Sequence, residues 1–564
     1  VNRERTLAEA FLDAVHDRPD DPFLTLVEPD GDRTVTLAEL AGHAAGAGRL
    51  LREAGARPGD RVPLVFDSGL AAVAAFFGTL LAGMTPAMVA PPMGRRQGAA
   101  YQEHIRGVTE RCGSRLGLAD REFAGALDGA AAHPFLPLVP DRPAPVPDRP
   151  DAPEAAGPVA LLQFTSGSTR VPKGVQVTHA GVLDNTAVFA ERFGLGPGRP
   201  FCSWLPLYHD FGLIGGLLSS LLSGGRLMLM PPQAFIRSPL GWLRAAQRGA
   251  ATVTGSPNFG LALFNRRFAA EPAEHLDGLD LSGLRTVVVG SDPVVPETVE
   301  AFQKLLAPYG LHDRAVRVGY GLAENTLVVT AVPDGQPLRT LTVGRPEGAR
   351  GPVRPTGSPS DGPVVTAVSC GTPAGHQEVS IVDEHGTTVG PDVIGEITVS
   401  GRSVALGYLD DPEATEAAFP GGALRTGDLG FLHDGELYVT GRLKDVVIAR
   451  GRNLNALDVE RAVRTLPGAH EGECAAFGAR TAEGEELVVA QEVRPAPPED
   501  HRALAREVTA LIVREFGIAP ADVLLVRMRT LPRTSSGKLR RSGCADLYER
   551  GELVTLYRQG SAAV

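Results

Sequence analysis

Two hydrophobic periods alternate along the chain. A helical period runs over residues 37–53, a Pro58-Gly59-Asp60 turn follows, an apolar strand covers 61–66, and a second helix starts at Gly69. Strands apolar throughout their length and separated by helical segments are the pattern of a parallel sheet covered on both faces. The most apolar run, 70–83, is followed at once by Met84-Thr85-Pro86 and is too short to span a bilayer, so it reads as a buried helix and the strand after it. Residues 140–158, rich in Pro, Asp and Ala, read as a surface connection.

The rhythm resumes with predicted strands over 201–204, 226–230, 251–254, 284–289 and 315–318, most of them joined by helices. It stops at Arg345-Pro346, where a Gly-, Pro-, Arg- and Ser-rich stretch extends to Pro363. Short strands follow, over 378–382, 394–399 and 436–440, and suggest a small β-rich part. From 444 onward strand and helix alternate again. The expected architecture is α/β: a large N-terminal domain over 1–443, with βα-rich parts and a small β-rich part, and a small α+β C-terminal domain over 444–564.

Composition narrows the function classes. A chain of 564 residues exceeds what one core usually holds, and a net charge of -11 argues against a general nucleic-acid footprint. Cys112, Cys202, Cys370, Cys474 and Cys544 are scattered with no Cys-x-x-Cys pair, as expected of a reduced cytoplasmic protein without a thiolate metal site. Arg3-Glu4-Arg5 precedes no apolar core of signal-peptide type, so export is not expected. Of 55 basic residues only Lys173, Lys304, Lys444 and Lys538 are lysine. An Arg-biased chain retains lysine where a compact, titratable ammonium is wanted, although four positions alone are compatible with chance.

The strongest local chemistry lies at Leu161-Leu162-Gln163-Phe164 followed by Thr165-Ser166-Gly167-Ser168-Thr169-Arg170-Val171-Pro172-Lys173-Gly174. A strand feeding a hydroxyl- and Gly-rich turn offers backbone N–H groups, hydroxyls and one ammonium to an anion. It lacks the spacing of a P-loop. The competing reading is a solvated polar turn.

This turn resembles the phosphate-binding motif of the adenylate-forming superfamily of acyl-CoA synthetases, luciferases and adenylation domains. Further motifs follow in that superfamily's order: Gly319-Tyr320-Gly321-Leu322-Ala323-Glu324-Asn325-Thr326, Arg425-Thr426-Gly427-Asp428, Gly441-Arg442-Leu443-Lys444-Asp445 and Arg533-Thr534-Ser535-Ser536-Gly537-Lys538. Within it the chain is most similar to the fatty acyl-AMP ligases. The resemblance is carried by Ser203-Trp204-Leu205-Pro206-Leu207-Tyr208-His209-Asp210-Phe211-Gly212, Ser256-Pro257-Asn258-Phe259, Gly290-Ser291-Asp292-Pro293-Val294 and Val368-Ser369-Cys370-Gly371. The irregular segment at about 331–366 falls where those enzymes carry an insertion. Arg170 stands where the superfamily at large has Gly, and residues 452–458 differ from the family's usual wording.

The resemblance implies attack of a carboxylate on the α-phosphorus of ATP, with Mg²⁺ present, giving acyl-adenylate and pyrophosphate. Thr165, Ser166, Gly167, Ser168, Thr169 and Lys173 would hold the departing phosphates, and Glu324 would ligate Mg²⁺ unless it is only a helix-start acid. Tyr320 and Gly321, with Ser291, Asp292 and Pro293, would seat the adenine, with Asn325 and Thr326 beside the nucleotide. Asp428 would accept from the ribose hydroxyls and Arg442 would reach the ribose or α-phosphate; the bland alternative is that the two pair with each other. His209 would lie near the reacting carboxylate, against a structural pairing with Asp210. Residues 213–222 and 253–259 would wall the acyl pocket or simply form core. Lys538 would bridge the carboxylate and α-phosphate, against a basic tail, and Lys444-Asp445 would be the hinge of a mobile C-terminal domain, against a salt bridge fixing a strand start.

The reading that follows is an acyl-AMP ligase that passes its acyl group to the phosphopantetheine thiol of an acyl carrier protein in polyketide or peptide-type secondary metabolism, with no nucleic acid and no membrane span involved. Its rivals are an acyl-CoA ligase, which differs only in the thiol acceptor, and a catalytically silent nucleotide-binding protein.

Overall fold

Short sequence signals start the first helices. Thr6 and Glu9, and again Thr36 and Glu39, form capping boxes at helices Leu7–Asp17 and Leu37–Glu53, each threonine hydroxyl accepting from the glutamate N–H at 3.2 Å. The computed structural model describes residues 5–92, 99–127, 131, 133–140, 143–147, 157–164, 172–269, 271–344, 349–356, 364–449, 452–481, 484–534 and 538–560. Its contacts separate two compact units: Val1–Arg339, Cys370–Val379 and Val399–Arg425 in the first, and Thr340–Ser369, Ser380–Thr398 and Thr426–Val564 in the second.

The first unit is built on two large sheets. One runs in the order Phe135–Pro137, Gly117–Ala119, Arg61–Val65, Thr85–Val89, Val159–Phe164, Gly174–Thr178, parallel except for the last pair. The other has a parallel centre of Val316–Gly321, Thr286–Val289, Val253–Ser256, Phe201–Ser203, Leu227–Leu229 and Pro22–Leu26. Antiparallel strands Val328–Ala331 and Thr372–Pro373 close one edge and Arg33–Thr36 the other. The predicted strands are thus present, each within a few residues of its expected bounds. Val287, Val288 and Val289 are buried, which explains why this strand reads as a continuous apolar run, and Val316 and Val318 are wholly buried on either side of Arg317.

Residues 211–222 form a helix of two kinds. Phe211–Leu218 is wound with π-type hydrogen bonds and Ser219–Leu222 continues as α-helix. Ser219 Oγ donates to the Ile214 carbonyl, five residues back, at 2.8 Å, an arrangement suited to the wider winding. Every residue of the π segment is buried. No helix among the described residues is long and apolar enough to cross a membrane.

In the second unit, Gly351–Pro352, Val393–Ser400, Leu424–His433 and Glu436–Arg442 form a sheet joined by Glu378–Val382. Part of the segment read as irregular is ordered: Thr340–Gly344 pairs antiparallel with Val364–Val368, Thr340 opposite Val368. Its Thr-Leu-Thr-Val alternation is too short to announce a strand without that partner. Residues 345–348 and 357–363 lie outside the described residues. The C-terminal part has a sheet ordered Cys474–Thr481, Gly484–Val493, Asp522–Arg527, Thr555–Gly560, with helices Ala456–Arg464 and Pro498–Phe516 contributing Val459, Val463, Val508 and Ile512 to the core. All five cysteines are buried and free.

Helices Leu37–Glu53 and Leu70–Leu81 approach closely at two glycines. A β-carbon on Gly78 would lie 2.4 Å from the Ala44 carbonyl oxygen and 2.9 Å from the Gly48 nitrogen, backbone atoms that have little room to give. Gly78→Ala is therefore expected to destabilise the protein by about 2 kcal/mol, against the gain of about 1 kcal/mol that Ala brings to an open helical site. A thermal melt reads the sign: an unchanged or raised midpoint contradicts this packing.

Candidate functional site

In the first unit, the C-terminal ends of the parallel strands lie along one edge of the large sheet, the side on which open α/β sheets take ligands. From these ends issue the segment leading to His209, the Ser256-Pro257 turn, Ser291-Asp292-Pro293 and Tyr320-Gly321. Ser291 has φ 69°, a left-handed turn residue; Ser291 and Asp292 are half-buried and Pro293 exposed. His209 Nδ1 is 2.6 Å from Asp210 Oδ1, and the same carboxylate accepts from Phe211 N–H at 2.6 Å to start the π-wound helix. The His209–Asp210 pairing is thus real, and His209 keeps 23% of its side chain exposed. Sequence reading missed Gln163: its Nε2 donates to the Tyr208 carbonyl at 2.8 Å and ties this loop to the strand that leads into the polar turn. The aromatic residues beside it, Trp204 stacked on Phe235 at 3.8 Å and edge-on to Phe259, pack as core.

Glu324 stands on a turn with unusual backbone. Strand Val316–Gly321 passes through Leu322 into the 3₁₀ turn Ala323–Asn325, and Thr326 then takes φ 65° and ψ −64°. Leu327 N–H donates to the Asn325 carbonyl at 2.7 Å, which makes this the strained form of a γ-turn, with a β-branched residue at its centre. Gly321 is required because a β-carbon there would lie 1.8 Å from the Leu327 carbonyl oxygen. Helix His179–Phe193 holds the turn through Asn185, whose amide exchanges two 2.9 Å hydrogen bonds with the Val328 backbone. Thr326 Oγ1 donates to the Ser403 carbonyl at 2.7 Å, and Asn325 Nδ2 to the Val328 carbonyl at 3.0 Å. The side chains of Asn325 and Thr326, expected beside the nucleotide, are fully buried and engaged in shaping this turn.

Lys173 immediately precedes strand Gly174–Thr178, and residues 405–409 run alongside it. Leu406 N–H donates to Gln176, Gln176 N–H to Gly407 and Leu409 N–H to Gly174, at 2.8–3.1 Å, while Ala405 N–H donates to the Glu324 carbonyl at 2.9 Å. Tyr408 consequently meets both charged residues. Its Oη donates to Glu324 Oε1 at 2.9 Å, and Lys173 Nζ lies 4.5 Å from its ring centroid, within cation–π range. Burial, reinforced by the Glu324 carboxylate, pushes the Tyr408 hydroxyl above its ordinary value and keeps it a donor. Tyr408 was not among the residues picked from the sequence; its N–H donates to Thr415 Oγ1 at 2.9 Å. Thr165, Ser166, Gly167, Ser168, Thr169 and Arg170 lie outside the described residues, as do Ser535, Ser536 and Gly537.

In the second unit, Asp428 and Arg442 face each other across a hairpin, Oδ1 to Nε at 2.7 Å, with the Asp428 side chain 5% exposed and that of Arg442 51%. The pairing weighed as the bland alternative is present. Lys444 and Asp445 lie in a 3₁₀ turn between strands Glu436–Arg442 and Val446–Ala449. Asp445 does form a salt bridge, with Arg541: Nη1 reaches its Oδ2 at 2.7 Å while Nε and Nη2 grip Glu460 at 2.7 Å each. Glu460 also accepts from Ala476 N–H at 3.0 Å. Burial raises the Glu460 carboxyl, and Arg541 opposes it. Half-buried Lys538 is tied to Thr534, its N–H donating to Thr534 Oγ1 at 3.1 Å and its carbonyl accepting from Thr534 N–H at 2.7 Å.

Comparison with known proteins points one way. Residues 11–409 match the model of the AMP-binding enzyme family. The chain is 32% identical to the long-chain-fatty-acid–AMP ligase FadD26 of Mycobacterium marinum over 97% of either chain. It is 36% identical to the medium-chain-fatty-acid–[acyl-carrier-protein] ligase JamA of Moorena producens over 70% of this chain and 68% of JamA. A structure from work on fatty acyl-adenylate ligases of E. coli and L. pneumophila superposes with TM-score 0.86 at 30% identity, over 97% of this chain and 98% of the other.

The Arg541 cluster carries a stability prediction. Arg541→Met leaves Glu460 and Asp445 without their cation and is expected to cost about 3 kcal/mol. Without Arg541 the folded state binds the Glu460 proton more tightly than the unfolded state, so the deficit should narrow as pH falls. Melting midpoints measured from pH 8 to pH 5 test this; a deficit that widens toward acid contradicts it.

Proposed function

Because the chain belongs to the AMP-binding enzyme family and has the adenylate-forming fold of a large N-terminal and a small C-terminal domain, we propose that it activates a fatty or bulky apolar carboxylic acid as acyl-AMP and delivers the acyl group to the thiol of an acyl carrier protein. The observation that carries this is the meeting, at Tyr408, of the Glu324 carboxylate and the ammonium of Lys173, a member of the Thr165–Gly174 motif. A cation and a metal-seeking oxygen side by side suit a polyphosphate.

Both reactants are anions, so the chemistry depends on offsetting their repulsion. A carboxylate oxygen bonds to the α-phosphorus, the α–β bridging bond breaks and pyrophosphate departs. Residues 165–169 and Lys173 hold the departing phosphates; His209 and Lys538 answer the charge of the reacting carboxylate and α-phosphate. Tyr320, Gly321 and residues 291–293, at the carboxyl ends of neighbouring strands, seat the adenine, and Asp428 and Arg442 serve the ribose. Among the described residues no cluster of His, Cys, Asp or Glu forms a metal cage. A lone Glu324 fits Mg²⁺, which takes one or two carboxylates together with substrate phosphates. Bound there, the ion would neutralise phosphate charge.

In the second step a thiol attacks the acyl carbon, the bond to AMP breaks, and the thiol proton passes to solvent. Lys444 and Asp445 serve as the hinge between the two steps, at an element boundary that can absorb backbone rotation. The carrier assignment draws on the acyl-carrier-protein ligase among the relatives, which also include proteins named as coenzyme A ligases. Five buried, free cysteines favour the cytoplasm as the working compartment.

Pyrophosphate release with a panel of carboxylic acids tests the reading. Release is expected with medium- or long-chain acids; none with any acid, from folded protein that binds ATP, would sink it. Lys538→Ala should lose about a hundredfold or more in rate and still bind ATP. Supplying either coenzyme A or a phosphopantetheinylated carrier then identifies the acceptor, with thioester expected on the carrier.

A further inference from the structure

Tyr408 touches both side chains of the phosphate side of the site and has no part in the chemistry described above. It is 8% exposed. Its position is fixed from several directions: the peptide on either side runs along strand Gly174–Thr178, its N–H is bonded to Thr415 Oγ1 at 2.9 Å, and its ring meets that of Phe419 edge-on at 5.6 Å. A phenol held this firmly offers two different ends to its neighbours. The hydroxyl reaches Glu324 Oε1, 84 residues earlier in the chain, and the ring face receives the Lys173 ammonium.

We propose that Tyr408 is a positioning residue for the nucleotide's phosphate side: its hydroxyl sets the rotation of the Glu324 carboxylate toward the metal, and its ring holds Lys173 in place for the phosphates. The proposal rests on the reading of Glu324 and Lys173 given above. The terminal torsion of a glutamate is broad and nearly two-fold, so an untethered carboxylate presents its oxygens over a wide arc. Donation to Oε1 narrows that arc, as partners behind a metal ligand do elsewhere. Lysine carries four rotatable bonds, and a ring under its ammonium limits the volume that the charge samples. The phenol is suited to both tasks because it is neutral and adds no charge to a site that must accept a polyanion. Phenylalanine keeps the ring and loses the tether; leucine loses both.

The two functions can be separated in the full-length protein. ATP binding is measured by titration calorimetry with and without Mg²⁺, beside the Mg²⁺ dependence of pyrophosphate release. Tyr408→Phe should bind metal-free ATP like the parent and need about tenfold more Mg²⁺ for half-maximal binding and rate. Tyr408→Leu should in addition weaken metal-free ATP binding severalfold. If Tyr408 acts through Glu324, the double variant Tyr408→Phe/Glu324→Gln should be no worse than Glu324→Gln alone in Mg²⁺ dependence. A Tyr408→Phe protein with a lowered melting midpoint and unchanged Mg²⁺ dependence overturns the proposal in favour of a packing role, as does full additivity in the double variant. Mg²⁺-independent ATP binding by the parent protein would overturn the assignment of Glu324 itself, and with it the Tyr408 proposal.

Discussion

The strained backbone at Thr326 is the constraint on which the Glu324 turn of the first unit depends. A β-branched residue at positive φ costs roughly 1–3 kcal/mol, and it persists because the surroundings over-determine it. The Thr326 hydroxyl, the Asn185 amide and the buried strand that follows each contribute hydrogen bonds of about 1 kcal/mol net and leave the turn no relaxed alternative. The consequence is local: the chain reverses within three residues of Glu324 and holds its backbone against residues 403–405. A relaxed turn would reverse more gradually and release the carbonyl that Ala405 now holds.

The same economy governs the charges. Lys173 and Glu324 share an aromatic neighbour, Tyr408, one at its ring face and the other at its hydroxyl. In the second unit, by contrast, charge is met with charge. Arg541 spans Glu460 on a core helix and Asp445 of the proposed hinge, and a guanidinium can do this because its donors leave in a planar fork. Asp445 is thereby fastened to the C-terminal body. Lys444, its neighbour in the same 3₁₀ turn, is left on the exposed side.

Much of the fold was legible along the chain. A fully buried parallel strand is rich in β-branched residues, and Thr286–Val289 announced itself that way. The helical period over 37–53 was legible because the apolar spacing that makes it is local, and helix Leu37–Glu53 follows it. Less legible were elements whose identity lies in a distant partner. Thr340–Gly344 is a strand because Val364–Val368 lies beside it, and Phe211–Leu218 winds as a π-helix in surroundings that bury it on every side.

The site divides the same way. The resemblance carried by the ordered motifs singled out Lys173, His209, Glu324, Asp428, Arg442 and Lys538 as candidates; residue type alone left each with a structural alternative. Which side chains face inward was decided by the tertiary structure. Asn325 and Thr326 sit in the same motif as Glu324, yet the γ-turn directs their side chains into the fold. Tyr408, Gln163 and Arg541 carry no local pattern, since each acts by reaching a group far away in sequence. A hydrogen bond across 84 residues has no period along the chain, so only the packing of strand against turn brings it into being.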